Sequence, residues 1–375
     1  MRVVLFAVVY LALAAQSHAG EIVTGSMLGP RYKSDLFFVR KSSTQWEETY
    51  RGSEYHRRAR GKLILVDASQ GLFEDEWLSE RPFNPAANTD ALIAALDLYK
   101  QYGVLAVAVS LQGADPGYSP ERNGIVRKSG ALYGSQEGTL ISAFNSDGSL
   151  KPAWTARLDK LLKAADQRGM FVQLTYFQPA QDEALDSPEA IVAASQNITR
   201  WLVAGNHRNV IIDVAAGWDV HGEWDHFEFI PRNIANLVNV VREQFNSASF
   251  SLPIGAAGGP SMMYPASLAQ VCDLVLLDER GLKPDIVARR FEQMSDYDRP
   301  LGVVVDAGNQ LTHSITSFDK SASWTYSPLG LTQYFPFAYT PDSGVAGGGD
   351  LDALLGQVAS LVMRKLPQKA DVGTE

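Results

Sequence analysis

The stretch "MFVQLTYFQPAQDEALDSPEAIVAASQNITRWLVAGNHRNVIIDVA", residues 170–215, decides the fold. It opens and closes on apolar runs, "MFVQLTYF" (170–177) and "NVIIDVA" (209–215), whose hydrophobicity is close to continuous rather than alternating. Strands buried on both faces of a parallel sheet read this way. Between the runs, "SPEAIVAASQNITRWLVAG" offers Ser187 as N-cap, Pro188 at the first helical position and Gly205 at the end. The unit is strand, helix, strand, with the crossover that parallel pairing requires.

The unit recurs along the chain. Further apolar runs occur at 62–68, 104–112, 252–257, 273–279 and 301–307. In "LKPAWTARLDKLLKAADQRG", Trp154, Leu158, Leu161, Leu162 and Ala165 fall at helical spacing and Gly169 closes the helix. Seven such strands are followed by "SWTYSPLGL", where only Trp324 and Tyr326 look strand-like, and by a helical stretch near 351–365. The expected architecture is α/β, a single-domain (β/α)8 TIM barrel over 61–366, with a doubly wound open sheet as the alternative. Residues 20–60 lack clear periodicity and are read as an N-terminal extension, and 367–375 as a tail.

The first residues, "MRVVLFAVVYLALAAQSHAG", combine Arg2, an apolar run from Val3 to Ala15 and small residues before a cut after Ala19. This is the pattern of a signal peptide over 1–19, so a secreted or periplasmic protein is expected, with no membrane partner after cleavage. The formal net charge of -9 becomes -10 when Arg2 leaves, which argues against nucleic acid as a partner. Cys272 is the single cysteine, so no disulfide can form within the chain, and it reads as core filler.

In a barrel the chemistry sits where strands end at their carboxyl termini. Polar residues ending the apolar runs are Asp67, Gln112, Gln178, Gln181, Asp213, Asp219, Asp278, Glu279 and Asp306. Carboxylates dominate, and two converging carboxyls can cleave a glycosidic bond. Aromatic residues that suit sugar rings stand at or beyond the same ends: Tyr118, Tyr133, Phe144, Tyr176, Phe177, Trp218, Trp224, Trp324 and Tyr326. Catalytic candidates are Asp306, Asp213, Asp219 and Glu279; substrate-binding candidates are Asp67, Gln112, Tyr118, Tyr176, Gln178, Trp218, His221, Asp278 and Trp324. The partner implied is an oligo- or polysaccharide. His221 and His226 with Asp219, Glu223 and Asp225 lack metal-ligand spacing, so neither metal nor cofactor is expected. The long segment 113–150 reads as a lid over the mouth. Asn197 begins a glycosylation triplet in mid-helix and carries no weight.

The segments "LQGADPGYSPE" (111–121), "SAFNSDGSLKPAWTARLDKLLKAADQRGMFVQLTYFQPAQDEAL" (142–185) and "ITRWLVAGNHRNVIIDVAAGWDV" (198–220) resemble secreted bacterial cellulase-like barrels related to glycoside hydrolase family 5. The resemblance implies a retaining glycosidase barrel with an acid/base Glu after the fourth strand and a nucleophile Glu ending the seventh. On this chain it aligns Asp213 with the first acid of the fourth-strand pattern, Ala216 with its Asn and Gly217 with the acid/base. It aligns Val305 and Asp306 with the Asn and nucleophile of the seventh strand. Gly has no proton to give, and Asp for Glu withdraws a carboxylate by about 1.5 Å, where about 1 Å can cost on the order of 100-fold in rate. Two readings stay open: an impaired relative that keeps the sugar groove, or an active glycosidase pairing Asp306 with Asp219, Glu223 or Glu279.

Overall fold

A computed structural model of the chain describes residues 64–73, 84–102, 104–113, 141–220, 222, 224–259, 264–279, 282–294, 297, 299–305 and 322–326, with the backbone of 21–24 and 37–40. Eight parallel strands close into a barrel. In chain order they are β3 (Ile64–Asp67), β4 (Ala106–Ser110), β5 (Phe171–Phe177), β6 (Val210–Ala216), β7 (Ile254–Gly258), β8 (Val275–Asp278), β9 (Leu301–Val305) and β10 (Ser323–Tyr326). They follow a separate antiparallel ribbon of β1 (Glu21–Thr24) and β2 (Phe37–Arg40). The weakest strand of the sequence, β10, completes the ring by pairing with β9 on one side and β3 on the other. An open doubly wound sheet is thereby excluded.

Helices α1 (Pro85–Gln101), α2 (Pro152–Gln167), α3 (Pro188–Ala204), α4 (Ile234–Ser247), α5 (Ala266–Val271) and α6 (Pro284–Met294) lie between the strands in sequence. Their ends are set locally. Asn84 accepts from Ala87 N at 3.1 Å, and Ser187 Oγ accepts from Ala190 N at 3.2 Å, each satisfying one orphan N–H ahead of a proline-led helix. Ile191, Ala194, Ile198 and Leu202 give α3 its buried face, while Trp154, Leu158, Leu161 and Leu162 do the same for α2. Asn197 donates to Gly148 O at 2.9 Å, so the glycosylation triplet is spent on holding a loop. Among the described residues no helix is long and apolar enough to cross a membrane.

Alternation along the strands separates two apolar layers. Leu65, Ala106, Phe171, Ile211, Ala257, Leu274 and Leu276 form a small cluster of their own, contributed by the sheet side of the chain without helical residues, and this is the filling of the lumen. The larger cluster joins Val66, Val107, Val172, Leu174, Ile212 and Val214 to the helices outside. Gly302 pairs in register with Leu276 and makes room for it: a Cβ there would sit 2.7 Å from Leu276 Cδ2. The signal segment, the helix expected near 351–365 and the tail lie outside the described residues.

Candidate active site at the barrel mouth

The lumen face continues upward into polar side chains. Asp67 is two residues beyond Leu65, Gln173 and Thr175 two and four beyond Phe171, Ser110 four beyond Ala106, Asp213 two beyond Ile211 and Asp278 two beyond Leu276. Period-two alternation turns all of them inward at the carboxyl ends of the strands. Register supports the grouping, since Ser110 pairs with Thr175, Thr175 with Asp213, and Asp67 with Ala108. Three of the expected acids, Asp67, Asp213 and Asp278, thus share one mouth.

Asp213 is the most perturbed. Its carboxyl is 2% exposed and accepts from Thr175 Oγ1 at 3.1 Å and Ala257 N at 2.9 Å. Burial pushes it up to about 7, against those hydrogen bonds, and the negative charge of Asp278 adds to the rise. It is therefore an acid that keeps its proton near neutrality beside a second carboxyl. Asp67 is occupied locally, accepting from Ser69 Oγ at 2.8 Å and Ser69 N at 3.2 Å in an Asx turn.

The glutamines serve the frame. Gln112 Nε2 donates to Gln181 O at 2.9 Å while its Oε1 accepts from Gln178 N at 3.1 Å. Gln178 Nε2 donates to Ser110 Oγ at 3.3 Å, and Gln181 Oε1 accepts from Ile141 N at 2.9 Å. Together they lace the end of β4 to the loop after β5. The described part of the expected lid, 141–150, folds back here, with Phe144 and Phe177 ring centroids 5.8 Å apart.

Several expected site residues lie elsewhere. Tyr176 does not face the mouth: it points outward, fully buried, with its hydroxyl 3.2 Å from Thr199 Oγ1 on α3. Trp324 likewise packs in the strand–helix layer, because alternation on β10 puts it on the face opposite the lumen. Glu279 is one residue past inward-facing Asp278 and so turns away, where Arg290 Nη1 of α6 stands 3.3 Å from both carboxylate oxygens. Burial raises Glu279 to about 7 despite that guanidinium. Asp219 Oδ1 accepts from Gly259 N, and Arg290 Nη2 donates to Gly259 O at 3.2 Å, so the end of β7 is clamped from both sides. Trp218 is 4% exposed and meets Tyr264 edge-on at 6.4 Å. Asp306, Tyr118, Tyr133, His221 and Glu223 lie outside the described residues.

The turn after β6 holds Gly217, the residue that the resemblance aligns with the acid/base. Gly217 has φ of +56°, and its carbonyl accepts from Trp224 Nε1 at 3.2 Å. A Cβ on Gly217 would meet Val220 Cγ2 at 3.1 Å. The loop then returns to the β5 side: His226 N donates to Asp182 Oδ2 at 2.8 Å and its Nε2 lies 2.8 Å from Leu185 O. His226 and Asp219, two of the residues weighed as metal ligands, are thus committed to backbone groups. Thr175, Ser110, Gln173 and Arg290 are the site and support residues that sequence reading missed. The first three were recoverable by counting in twos from Phe171 and Ala106.

No protein-family model and no curated protein matches the chain. Solved structures do. A glycoside hydrolase of family 5 from Bacteroides vulgatus superposes with a TM-score of 0.51 at 13% identity, over 93% of this chain and 71% of that one. The fold is that of the glycoside hydrolase barrels. A candidate glycoside hydrolase from the same organism gives 0.50 at 14% identity over 79% of this chain, and the exo-beta-1,4-mannosidase Op5Man5 from an Opitutaceae bacterium gives 0.50 at 12% over 84%. The chain spans 57% and 65% of the length of these last two.

Proposed function

We propose that this chain is a saccharide-binding barrel of the glycoside hydrolase type, exported from the cytoplasm, whose inherited acid/base step is lost. One observation carries the reading: the position aligned with the acid/base is Gly217, held at φ of +56° with its carbonyl already engaged. Of the relocated partners for Asp306, Asp219 is tied to Gly259 N and Glu279 to Arg290. What remains at the mouth is Asp67, Asp213 and Asp278 above a packed lumen, with hydroxyls and amides between them. That set suits hydrogen bonding to sugar hydroxyls.

A second reading rests on Asp213, whose buried carboxyl is pushed up to about 7 and so has a proton to give, with the Asp278 carboxyl beside it. In it Asp213 protonates the leaving oxygen and Asp278 acts as nucleophile or base. The similar structure named as an exo-beta-1,4-mannosidase chooses the probes, β-1,4-linked manno-oligosaccharides, with gluco-oligosaccharides of the same linkage for comparison. Calorimetry and a hydrolysis assay on the same protein separate the readings. Binding without product, weakened by Asp278→Asn, is expected. Product formation abolished by Asp213→Asn overturns loss of catalysis, and absence of any binding overturns the saccharide assignment.

A further inference from the structure

Below the mouth the lumen of the barrel is sealed, and on the β3–β5 side it opens at one layer. Where the inward side chains are Leu65, Ala106 and Phe171, which pair in register, exposure is 2%, 0% and 2%. Two residues further along each strand, at Asp67, Ala108 and Gln173, it is 8%, 8% and 6%. The floor of the mouth on this side therefore runs through these three side chains. Ala108 contributes only a methyl group to the row, next to the long side chain of Gln173.

Neighbouring polar side chains are engaged within the protein. Thr175 Oγ1 donates to Asp213 at 3.1 Å, Gln178 Nε2 donates to Ser110 Oγ at 3.3 Å, and Asp67 accepts from Ser69. The Gln173 amide makes no hydrogen bond to the protein, although the residue is more than nine-tenths buried. Buried polar groups are almost always hydrogen-bonded, and one that is not costs the fold its desolvation. Such a local conflict is expected at a functional site, where the missing partner arrives with the ligand. An amide presents an acceptor oxygen and two donor hydrogens from a single carbon. That fork matches two hydroxyls on adjacent carbons of a sugar ring, one donating to Oε1 and the other accepting from Nε2.

We infer that Gln173 is a specificity-determining residue of the mouth, its amide bridging two adjacent hydroxyls of the bound pyranose. The inference rests on the saccharide reading above and names the part of the sugar that the floor recognises. Calorimetry on the full chain compares the methyl β-glycosides of the β-1,4-linked manno- and gluco-disaccharides with their monodeoxy analogues. Removing either of two adjacent hydroxyls weakens binding by about three- to tenfold, the worth of one hydrogen bond. In Gln173→Met, which roughly keeps the side-chain volume, the parent disaccharide loses affinity and those two positions no longer matter, the non-additivity that marks a direct contact. Gln173→Asn, which keeps the amide but withdraws it by one methylene, gives the same result. Urea denaturation of Gln173→Met gives a midpoint equal to or above that of the native chain, because the folded protein loses no hydrogen bond. A clearly lower midpoint would mean that the amide is bonded within the protein, and overturns the inference. So does a deoxy pattern that is unchanged in Gln173→Met and Gln173→Asn, the outcome for an amide satisfied by water alone; the saccharide reading survives that result. Failure of every disaccharide and oligosaccharide to bind overturns the saccharide reading and the inference with it.

Discussion

Asp213 couples the site to stability. Its folded pKa of about 7 lies above that of an unfolded aspartate, so between about pH 4 and 7 the native state holds a proton that the unfolded chain has released. Stability from this group is complete below that window and falls as pH rises through it, by up to about 1.4 kcal/mol per pH unit. Urea denaturation should show a lower unfolding free energy at pH 8 than at pH 5, and Asp213→Asn, which mimics the protonated form, should flatten the slope by one proton's share. Glu279, also raised to about 7, keeps the remainder in place. An unchanged slope in the variant would place Asp213 in contact with solvent. Gly217→Glu tests the neighbouring turn. A side chain at φ of +56° costs about 1–2 kcal/mol, so the substitution should lower stability without conferring hydrolysis. Hydrolysis by the Gly217→Glu, Asp306→Glu pair would mean that the turn relaxes and the acid/base position is inherited intact. At this scale the sequence disclosed which acids end strands but not which way each faces. Asp278 and Glu279 are adjacent in "LLDERG", and the one-residue step decides that the first enters the mouth and the second meets Arg290.

Elements were more legible than side chains because their signals are local. The Ser187–Pro188 start and Gly205 end of α3 were readable since capping involves residues three or four apart. The clamp around Gly259 was not, since it gathers Asp219, Glu279 and Arg290 from the ends of different elements. That clamp should be fragile. Removing one partner of a buried pair strands a charge and costs about 3–5 kcal/mol. Arg290→Met should therefore destabilise the protein strongly at pH 8 and less at pH 5, where Glu279 can take up a proton in place of the guanidinium. Denaturation midpoints at the two pH values check this, and a pH-independent loss would point to packing of the Arg290 stem instead.

For the whole molecule, the closed barrel rests on its least obvious strand. Repetition of the strand–helix unit implied a barrel, but "SWTY" carries no long apolar run, and its membership is settled only by pairing with both β9 and β3. Aromatic content near strand ends was equally ambiguous: composition places Trp324 at the mouth, whereas alternation on β10 buries it against the helices. The two placements make opposite predictions for one substitution. A ring packed in the outer layer contributes to closure, so Trp324→Ala should cost about 3–5 kcal/mol while the folded protein keeps its oligosaccharide affinity. A ring lining the groove would give the reverse, near-native stability with weakened binding. Denaturation and calorimetry on the same variant decide between them, and the expected result is a less stable barrel that still binds.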